Sequence, residues 1–244
     1  MNKAEKGIRI CDMMVCAMSR QIKDGDKVFH GVSSHMPMIA FLLARATHAP
    51  NAVYLNIPGG MDAIPKKPVK YSSAGAELLE RSTAYFPLAE IFDLSMRGQL
   101  DIAFLSGIQF DKGGHVNASV IGDYHKPKVR MPGGAGSAVL IPTVKRAIIW
   151  RTKHDTRTFV DKVDFITTKG NLSKVITPLC VFEYIDGQLE PEAIYPYTTL
   201  EEVKERTGFS ISKAAVRQIE PPTKEELNYL QRLDPENYRA IEFQ

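Results

Sequence analysis

The apolar residues of this chain change period several times between that of a helix and that of a strand. Near the start they recur every three or four positions, on one face of a helix over residues 4–23: Ile8, Cys11, Val15, Met18 and Ile22. A strand is predicted over 27–31, and then a second helix, which Ser34 can cap and which runs to about His48. A strand over 52–55 follows. Strand, helix and strand in this order favour a parallel sheet with a right-handed crossover.

The same alternation continues through the middle and the tail. The predicted elements are a helix over 88–96, strands over 100–105, 116–121, 146–150 and 180–185, a near-hairpin through 111–114, and a hairpin turn at Asp186-Gly187. In the tail, Thr199 with Glu202 and Thr223 with Glu226 form capping boxes, and Gly208 is predicted to cap the first of these helices. The sequence has no internal repeat and no low-complexity linker, so we expect one α/β domain over residues 1–244.

Charge and hydropathy exclude several classes of function. The 31 Lys and Arg residues exceed the 28 Asp and Glu residues by a net charge of only +3. So small an excess argues against a nucleic-acid-binding tail and against a membrane-docking patch. The start of the chain lacks the pattern of a signal peptide, and no apolar run is long enough to span a bilayer. We therefore expect a cytoplasmic protein that binds neither nucleic acid nor membrane.

The residue types that most often carry metal or nucleophilic chemistry show no matching pattern. The three cysteines, Cys11, Cys16 and Cys180, form no CxxC pair, and Cys180 lies inside a predicted strand, where its thiol should be inert. The six histidines include no HExxH motif. Asp111 and Asp123 flank the central hairpin and are expected to be turn formers. We predict no metal site and no permanently bound cofactor.

A glycine-rich loop is the first feature that suggests a ligand. It contains Gly133, Gly134, Ala135 and Gly136, and glycines let backbone N–H groups approach an anion or a developing oxyanion. Three cations precede it, Lys126, Lys128 and Arg130, which suit the phosphates of a nucleotide or of coenzyme A. The loop matches neither the P-loop nor the dinucleotide-binding pattern. The alternative is an ordinary loop with solvated charges.

The central segment from Leu105 to Arg130 resembles the β subunit of class I CoA-transferases, most closely that of glutaconate CoA-transferase. The run Gly122-Asp-Tyr-His-Lys-Pro-Lys-Val-Arg130, which leads into a Gly-Gly loop, carries most of this resemblance. Residues 161–167 and 226–235 are also similar, so the resemblance covers nearly the whole chain. It implies the NagB/RpiA/CoA-transferase-like layered α/β fold with a mainly parallel sheet. It also implies a coenzyme A thioester as substrate and a partner α subunit, in a heterodimer or an α2β2 assembly, with the active site between the subunits.

One departure from the family concerns the nucleophile. In the transferases, a glutamate in a Glu-Ser/Asn-Gly loop after an early strand attacks the acyl-CoA. The matching positions here are Ile57-Pro58-Gly59, or Asn56 after one residue of slippage, and no glutamate occurs between Glu5 and Glu77. The sequence also resembles a related group of heteromers that hydrolyse a carbon–carbon bond in cyclic ketone CoA thioesters during steroid ring degradation. In that group too the β subunit lacks the glutamate, and the α subunit supplies the base.

Three interpretations therefore stay open: ring-opening hydrolysis of a carbon–carbon bond with an acid or base from the partner, CoA transfer between carboxylic acids, and acyl-CoA binding by a non-catalytic scaffolding subunit. As candidate catalytic residues we take Asn56 and Gln109, and Asn117 as a candidate for substrate binding. The amides of Gly133 to Gly136 are expected near the thioester or the pyrophosphate. For Asn56, Gln109 and Asn117 the alternative is a structural role, in which each satisfies backbone groups at a strand end.

Overall fold

A computed structural model describes residues 9–64 and 74–243, and the first residues of the helix predicted over 4–23 lie outside this part. The chain divides into two compact units. The first contains the residues up to Phe104 together with those from Pro221 onward, and the second contains Leu105–Glu220. A single domain over residues 1–244 stays a prediction.

The helices are α1 (Ile10–Ser19), α2 (His35–Thr47), α3 (Ala89–Met96), α4 (Ser137–Thr143), α5 (Leu200–Glu205) and α6 (Lys224–Leu233), with 3-10 turns over Ala76–Leu79 and Tyr238–Phe243. The strands are β1 (Lys27–His30), β2 (Val53–Leu55), β3 (Gly60–Met61), β4 (Ala84–Tyr85), β5 (Ile102–Leu105), β6 (Gln109–Phe110), β7 (Val116–Asn117), β8 (Val120–Gly122), β9 (Pro127–Arg130), β10 (Arg146–Trp150), β11 (Leu172–Ile176), β12 (Cys180–Ile185), β13 (Gln188–Ile194) and β14 (Arg217–Gln218). None of the helices in the described residues is long and apolar enough to cross a membrane.

In the first unit the strands lie in the order β5-β1-β2-β3-β4. β1 pairs in parallel with both β2 and β5, so that Phe29 lies opposite Leu55 on one side and Ala103 on the other. β3 and β4 continue the sheet in antiparallel fashion. Because β1 and β2 are parallel neighbours, the loops that follow them leave the same edge of the sheet, where α/β proteins commonly bind ligands.

The tail of the chain packs as helices in the first unit, as predicted. α6 contacts α1 and α2, and the final 3-10 turn contacts the same two helices. Three ion pairs fix this arrangement: Arg20 Nη2 lies 2.7 Å from Glu226 Oε2, and the buried Arg239 pairs with both Asp12 and Asp234. The carboxylates satisfy a guanidinium that would otherwise be costly to bury.

The second unit carries strands in the order β10-β11-β12-β13-β14. β10 and β11 are parallel, β11, β12 and β13 are antiparallel, and β14 is again parallel to β13. Two short hairpins, β6–β7 and β8–β9, stand outside this sheet. The predicted α/β class is confirmed, with parallel pairing at β1, β2 and β5 and at β10 and β11, and antiparallel strands beside them.

Two predicted helix caps are wrong. Ser34 occupies the N-cap position of α2, but its side chain makes no capping hydrogen bond, and its hydroxyl instead donates to the carbonyl of Val32. Gly208 lacks a positive φ and lies beyond the C-cap Arg206 of α5. Its N–H donates to the carbonyl of Phe159, and a Cβ at this position would lie 2.5 Å from that oxygen. Glycine is therefore required for close backbone approach.

The strand predicted over 116–121 is interrupted. β7 ends at Asn117 and β8 begins at Val120. The break is local, because Asn117 Oδ1 accepts the backbone N–H groups of Ser119 (2.9 Å) and Val120 (3.4 Å). An Asn side chain that bonds the backbone two residues on replaces the strand ladder with a turn.

Candidate functional site

The loop after β2 is closed by the side chain of Asn56, which has no exposed surface. Asn56 Oδ1 accepts the N–H of Gly60 at 2.7 Å, and Nδ2 donates to the carbonyl of Leu78 at 2.8 Å. The backbone N–H of Asn56 donates to Gly60 O, and Gly59 N–H donates to Asn56 O. This candidate catalytic residue is thus engaged within its own unit, and its carboxamide holds the loop in shape.

No carboxylate side chain occupies this loop. Ile57 and Pro58 are partly exposed, and Gly59 has a φ of +96° with its would-be Cβ 2.1 Å from Phe86 O, so only glycine fits there. The next acid, Asp62, accepts hydrogen bonds from Tyr54 N–H at 3.0 Å and from Arg45 at 3.3 Å. Residues 56–60 therefore offer no side-chain carboxylate that could form an acyl anhydride.

A neutral polar pair lies at the end of β1. His30 Nδ1 donates to the carbonyl of Gly31 at 3.0 Å, so Nε2 must accept from the hydroxyl of Tyr54, 2.5 Å away. Burial lowers the pKa of His30 to about 4 and raises the pKa of Tyr54. The pair is therefore uncharged at neutral pH, and both ring nitrogens of His30 have partners within the first unit.

In the second unit, Gln109 and Asn117 lie directly opposite each other on β6 and β7. Asn117 Nδ2 donates to Gln109 Oε1 at 2.7 Å, and Gln109 Nε2 donates to Asp164 Oδ2 at 3.2 Å. The N–H of Asp164 donates back to Gln109 Oε1 at 3.1 Å. Both amides are buried, so the structure brings these two candidates together in a network that uses their polar atoms internally.

The turn after Asn117 supports the glycine-rich loop. Gly133 N–H donates to Ala118 O at 2.9 Å, and Met131 N–H donates to Ser119 O at 2.9 Å. Thr167 fixes the same turn from the other side, because its Oγ1 accepts the N–H of Ala118 at 2.9 Å. Asn117 therefore shapes the platform on which the loop rests.

The loop itself presents backbone donors. Gly133 has a φ of +91° and Ala135 a φ of +42°, and a Cβ at Gly134 would lie 2.7 Å from Thr167 Cγ2. The N–H groups of Gly134, Ala135 and Gly136 make no hydrogen bond to any residue that the structure describes. Successive unpaired amides of this kind can bind an anion or stabilise an oxyanion.

The three predicted cations lie on the β8–β9 hairpin and are exposed. In the described part of the chain, Lys126, Lys128 and Arg130 have no carboxylate partner. Asp123 Oδ1 accepts the N–H groups of His125 (2.8 Å) and Lys126 (2.9 Å), so Asp123 is a turn former, as predicted, and its turn joins β8 to β9.

Asp111 is also a turn former, since its Oδ1 accepts the N–H of His115 at 3.2 Å. The same carboxylate lies 2.9 Å from His115 Nδ1, a contact that the sequence pattern does not predict.

Sequence reasoning missed Asp164 and Thr167, which lie about fifty residues from the side chains and amides they hold. The only signal for them was the resemblance of residues 161–167 to the transferases. Within residues 9–64 and 74–243, no group of three or more His, Cys, Asp or Glu residues is placed to hold a metal ion. Burial raises the pKa of the Cys180 thiol, in keeping with an inert strand cysteine.

The geometry of the site agrees with the known proteins that this chain resembles. Over residues 11–206 it matches the coenzyme A transferase family. It is 35% identical to the B subunit of 3-oxoadipate CoA-transferase from Pseudomonas knackmussii, over 91% of this chain and 92% of that protein. It is 28% identical to the B subunit of glutaconate CoA-transferase from Acidaminococcus fermentans, over 86% of each chain, and 25% identical to the cholesterol ring-cleaving hydrolase IpdB subunit of Rhodococcus jostii, over 85% of each.

A solved structure, that of the decarboxylase AibA/AibB, superposes with a TM-score of 0.91 at 29% identity, covering 96% of this chain and 98% of that one. The predicted resemblance and the predicted fold are thereby confirmed. Since the family match covers well over half of the 244 residues, the chain belongs to the coenzyme A transferase family.

Proposed function

We propose that this chain is the β subunit of a two-subunit enzyme that acts on an acyl-CoA thioester, and that the enzyme cleaves a carbon–carbon bond rather than transferring coenzyme A. The observation that carries the proposal is the loop after β2. Its buried Asn56 is bonded to Gly60 and Leu78, and no carboxylate stands where the transferases keep their glutamate.

The relatives support both parts of the proposal. Two of them are named as B subunits of CoA-transferases, which favours a partner α subunit in a heterodimer or an α2β2 assembly. Two others are named as a ring-cleaving hydrolase subunit and a decarboxylase, so this fold also occurs in enzymes whose names denote carbon–carbon cleavage. The acid or base that this chain lacks is assigned to the partner.

The two cleavage reactions make the same electrostatic demand. In hydrolysis, a partner carboxylate removes a proton from water, and the water oxygen adds to a ring carbonyl. The bond between that carbonyl carbon and the carbon next to the thioester then breaks, and its electron pair moves to the latter carbon. In decarboxylation, the electron pair of the bond to the departing CO₂ moves toward the same thioester. Each route develops negative charge on the thioester oxygen, and proton uptake at carbon completes it.

The glycine-rich loop is the group in this chain that suits such a charge. The N–H groups of Gly134, Ala135 and Gly136 are adjacent and unpaired in the described structure. Donors fixed in advance stabilise an oxyanion without reorganisation, and removing one such donor commonly costs about 100-fold or more in rate. The same amides could instead bind the pyrophosphate, as the sequence analysis also allows. Gln109 and Asn117 then act indirectly, because they shape the turn beneath the loop.

CoA transfer is the second candidate, favoured by the 35% identity to a 3-oxoadipate CoA-transferase. It would require a glutamate from the partner or a route without the anhydride.

The test is reconstitution with an α-type subunit of the same family, followed by incubation with acyl-CoA thioesters, including cyclic ketone and unsaturated dicarboxylic ones. We expect ring-opened product labelled from H₂¹⁸O, or release of CO₂, with no inactivation by hydroxylamine or borohydride and no CoA transfer to added carboxylates. Each subunit alone is the matched control and should be inactive. A covalent glutamyl-CoA adduct would refute the proposal, and a complex that binds coenzyme A without turnover would make this a scaffolding subunit.

A further inference from the structure

Arg130 is exposed, yet its guanidinium is held in place. Nη2 donates to the carbonyl of Tyr124 at 3.0 Å, and Cζ lies 4.9 Å from the centroid of the Tyr124 ring. The two contacts fix the plane of the guanidinium over the aromatic ring and use one of its five N–H donors. A side chain ordered before binding loses less conformational entropy when a ligand arrives.

The ring that carries Arg130 is supported in turn. Tyr124 stacks on Phe165 with 4.7 Å between ring centroids and 23° between planes, although 44% of Tyr124 is exposed. Phe165 follows Asp164, whose Oδ2 accepts the N–H of Gly122 at 2.8 Å and the amide of Gln109. A continuous set of contacts thus runs from the buried Gln109 to the exposed guanidinium.

The hairpin tip is equally ordered. Asp123 bonds two successive backbone N–H groups, and Gly122 has a φ of +85°, which glycine adopts without strain. Lys126, Lys128 and Arg130 occupy alternate positions, so in an extended chain neighbouring cations are roughly 7 Å apart. In the described structure none of the three is neutralised by a carboxylate, and this surface is therefore built for an anion with more than one charged group.

We infer that the β8–β9 hairpin is a preassembled site for the phosphorylated nucleotide end of coenzyme A, with Arg130 binding the 3′-phosphate monoester and Tyr124 and Phe165 acting as positioning residues. The planar fork of arginine matches a phosphate monoester in bidentate geometry, whereas lysines act as point charges suited to the diphosphate. The assignment rests on the proposed function in one respect only, namely that the ligand is a coenzyme A thioester.

Equilibrium binding tests it, with the chain alone and in complex with its partner, using coenzyme A, dephospho-coenzyme A and pantetheine. Dephospho-coenzyme A lacks the 3′-phosphate, and pantetheine lacks every phosphate. We expect about 10-fold tighter binding of coenzyme A than of dephospho-coenzyme A, the gain expected from a charge-assisted hydrogen-bonded pair. Pantetheine should bind most weakly.

Variants separate positioning from mere structure. Arg130→Lys and Tyr124→Leu should bring the ratio of the two affinities close to one while leaving dephospho-coenzyme A binding within about 2-fold, and Tyr124→Phe should keep the ratio, because the ring and the carbonyl remain. Phe165→Leu provides a second test if Tyr124→Leu fails to fold. Lys153→Ala, which removes an exposed cation elsewhere in the unit, is the charge control.

Equal affinity of the wild type for coenzyme A and dephospho-coenzyme A would overturn the inference, as would a Tyr124→Leu variant that folds and keeps the ratio. Because binding is measured without turnover, this result is independent of whether the enzyme cleaves or transfers.

Discussion

Two buried histidines predict that each unit takes up a proton when it unfolds in mildly acidic solution. His30 lies in the first unit with no exposed surface, and His154 lies in the second with 6% exposed. Burial lowers the pKa of His30 to about 4 and that of His154 to about 3. In an unfolded chain both should titrate near 6.5. Because the folded values are the lower ones, the stabilisation is complete above pH 6.5 and is lost as the pH falls toward them.

The surroundings of His154 explain why its neutral form is favoured. Thr207 Oγ1 donates to Val203 O, so it accepts the Nε2–H of His154 at 3.0 Å. Nδ1 lies 2.8 Å from Thr177 Oγ1, whose hydroxyl donates to Cys180 O at 3.0 Å. Phe159 lies on the imidazole with 4.3 Å between ring centroids, and among the residues that the structure describes no carboxylate bonds the ring. At pH 5 the unfolded histidine is protonated and the folded one is not. Each histidine therefore lowers the free energy of unfolding by about 2 kcal/mol relative to pH 8.

Trp150 makes the assay specific for one unit, because it is the sole tryptophan of the chain and is buried in β10 of the second unit. Urea unfolding followed by its fluorescence should show a stability that falls between pH 6.5 and pH 5 with a slope approaching 1.4 kcal/mol per pH unit from His154. His154→Gln should remove that slope, and the exposed His125→Gln should leave it unchanged. Parallel pH profiles for His154→Gln and the wild type would refute the reasoning. Circular dichroism of His30→Gln tests the first unit in the same way.

Three further predictions concern stability and thiol reactivity. Asn56→Ala leaves Gly60 N–H and a buried carbonyl unpaired and should lower the free energy of unfolding by roughly 2 to 5 kcal/mol in urea titrations, whereas a change below about 0.5 kcal/mol would show that the loop does not depend on this side chain. Thr223→Ala removes the complete capping box of α6 and should cost about 1 kcal/mol in the same assay, with an unchanged midpoint as the contrary result. The thiols of Cys11, Cys16 and Cys180 are buried, and burial raises the pKa of Cys16 to about 12. A disulfide reagent at pH 8 should therefore modify none of the three until the chain unfolds. Rapid reaction of the native protein would contradict this.

The features predicted correctly are those whose physical cause is local in sequence. The strand over Arg146–Trp150 has four consecutive apolar residues after Arg146, and the structure gives it these bounds. The turn at Asp186-Gly187 needs two residues with positive φ, and both adopt it, at 51° and 80°. The capping box at Thr223 is likewise complete within four residues. The turn and the capping box each contain their own hydrogen-bond partners.

The wrong predictions have partners that the local pattern does not identify. Gly208 has the composition of a helix cap, but it is a glycine because the backbone of Phe159, about fifty residues away, passes close by. Ser34 has the right position for a cap, yet its hydroxyl bonds the preceding loop. A sequence pattern names the residue type that a position tolerates, while the contact that requires it is set by the tertiary fold.

In the candidate site too, the sequence indicates which residues are polar, but the fold decides which polar atoms are available to a ligand. Gln109 and Asn117 were predicted as polar groups at a site, and they do lie together. Their oxygens and amide nitrogens are, however, already hydrogen-bonded to each other, to Asp164 and to the backbone. A substrate that bonded either side chain would have to displace one of these buried bonds, which costs about 1 to 3 kcal/mol for the group left unpaired. The amides of Gly134 to Gly136 impose no such cost, because they have no acceptor within the described structure. Ligand binding in this unit should therefore use backbone amides and exposed cations, with the conspicuous polar side chains holding them in position.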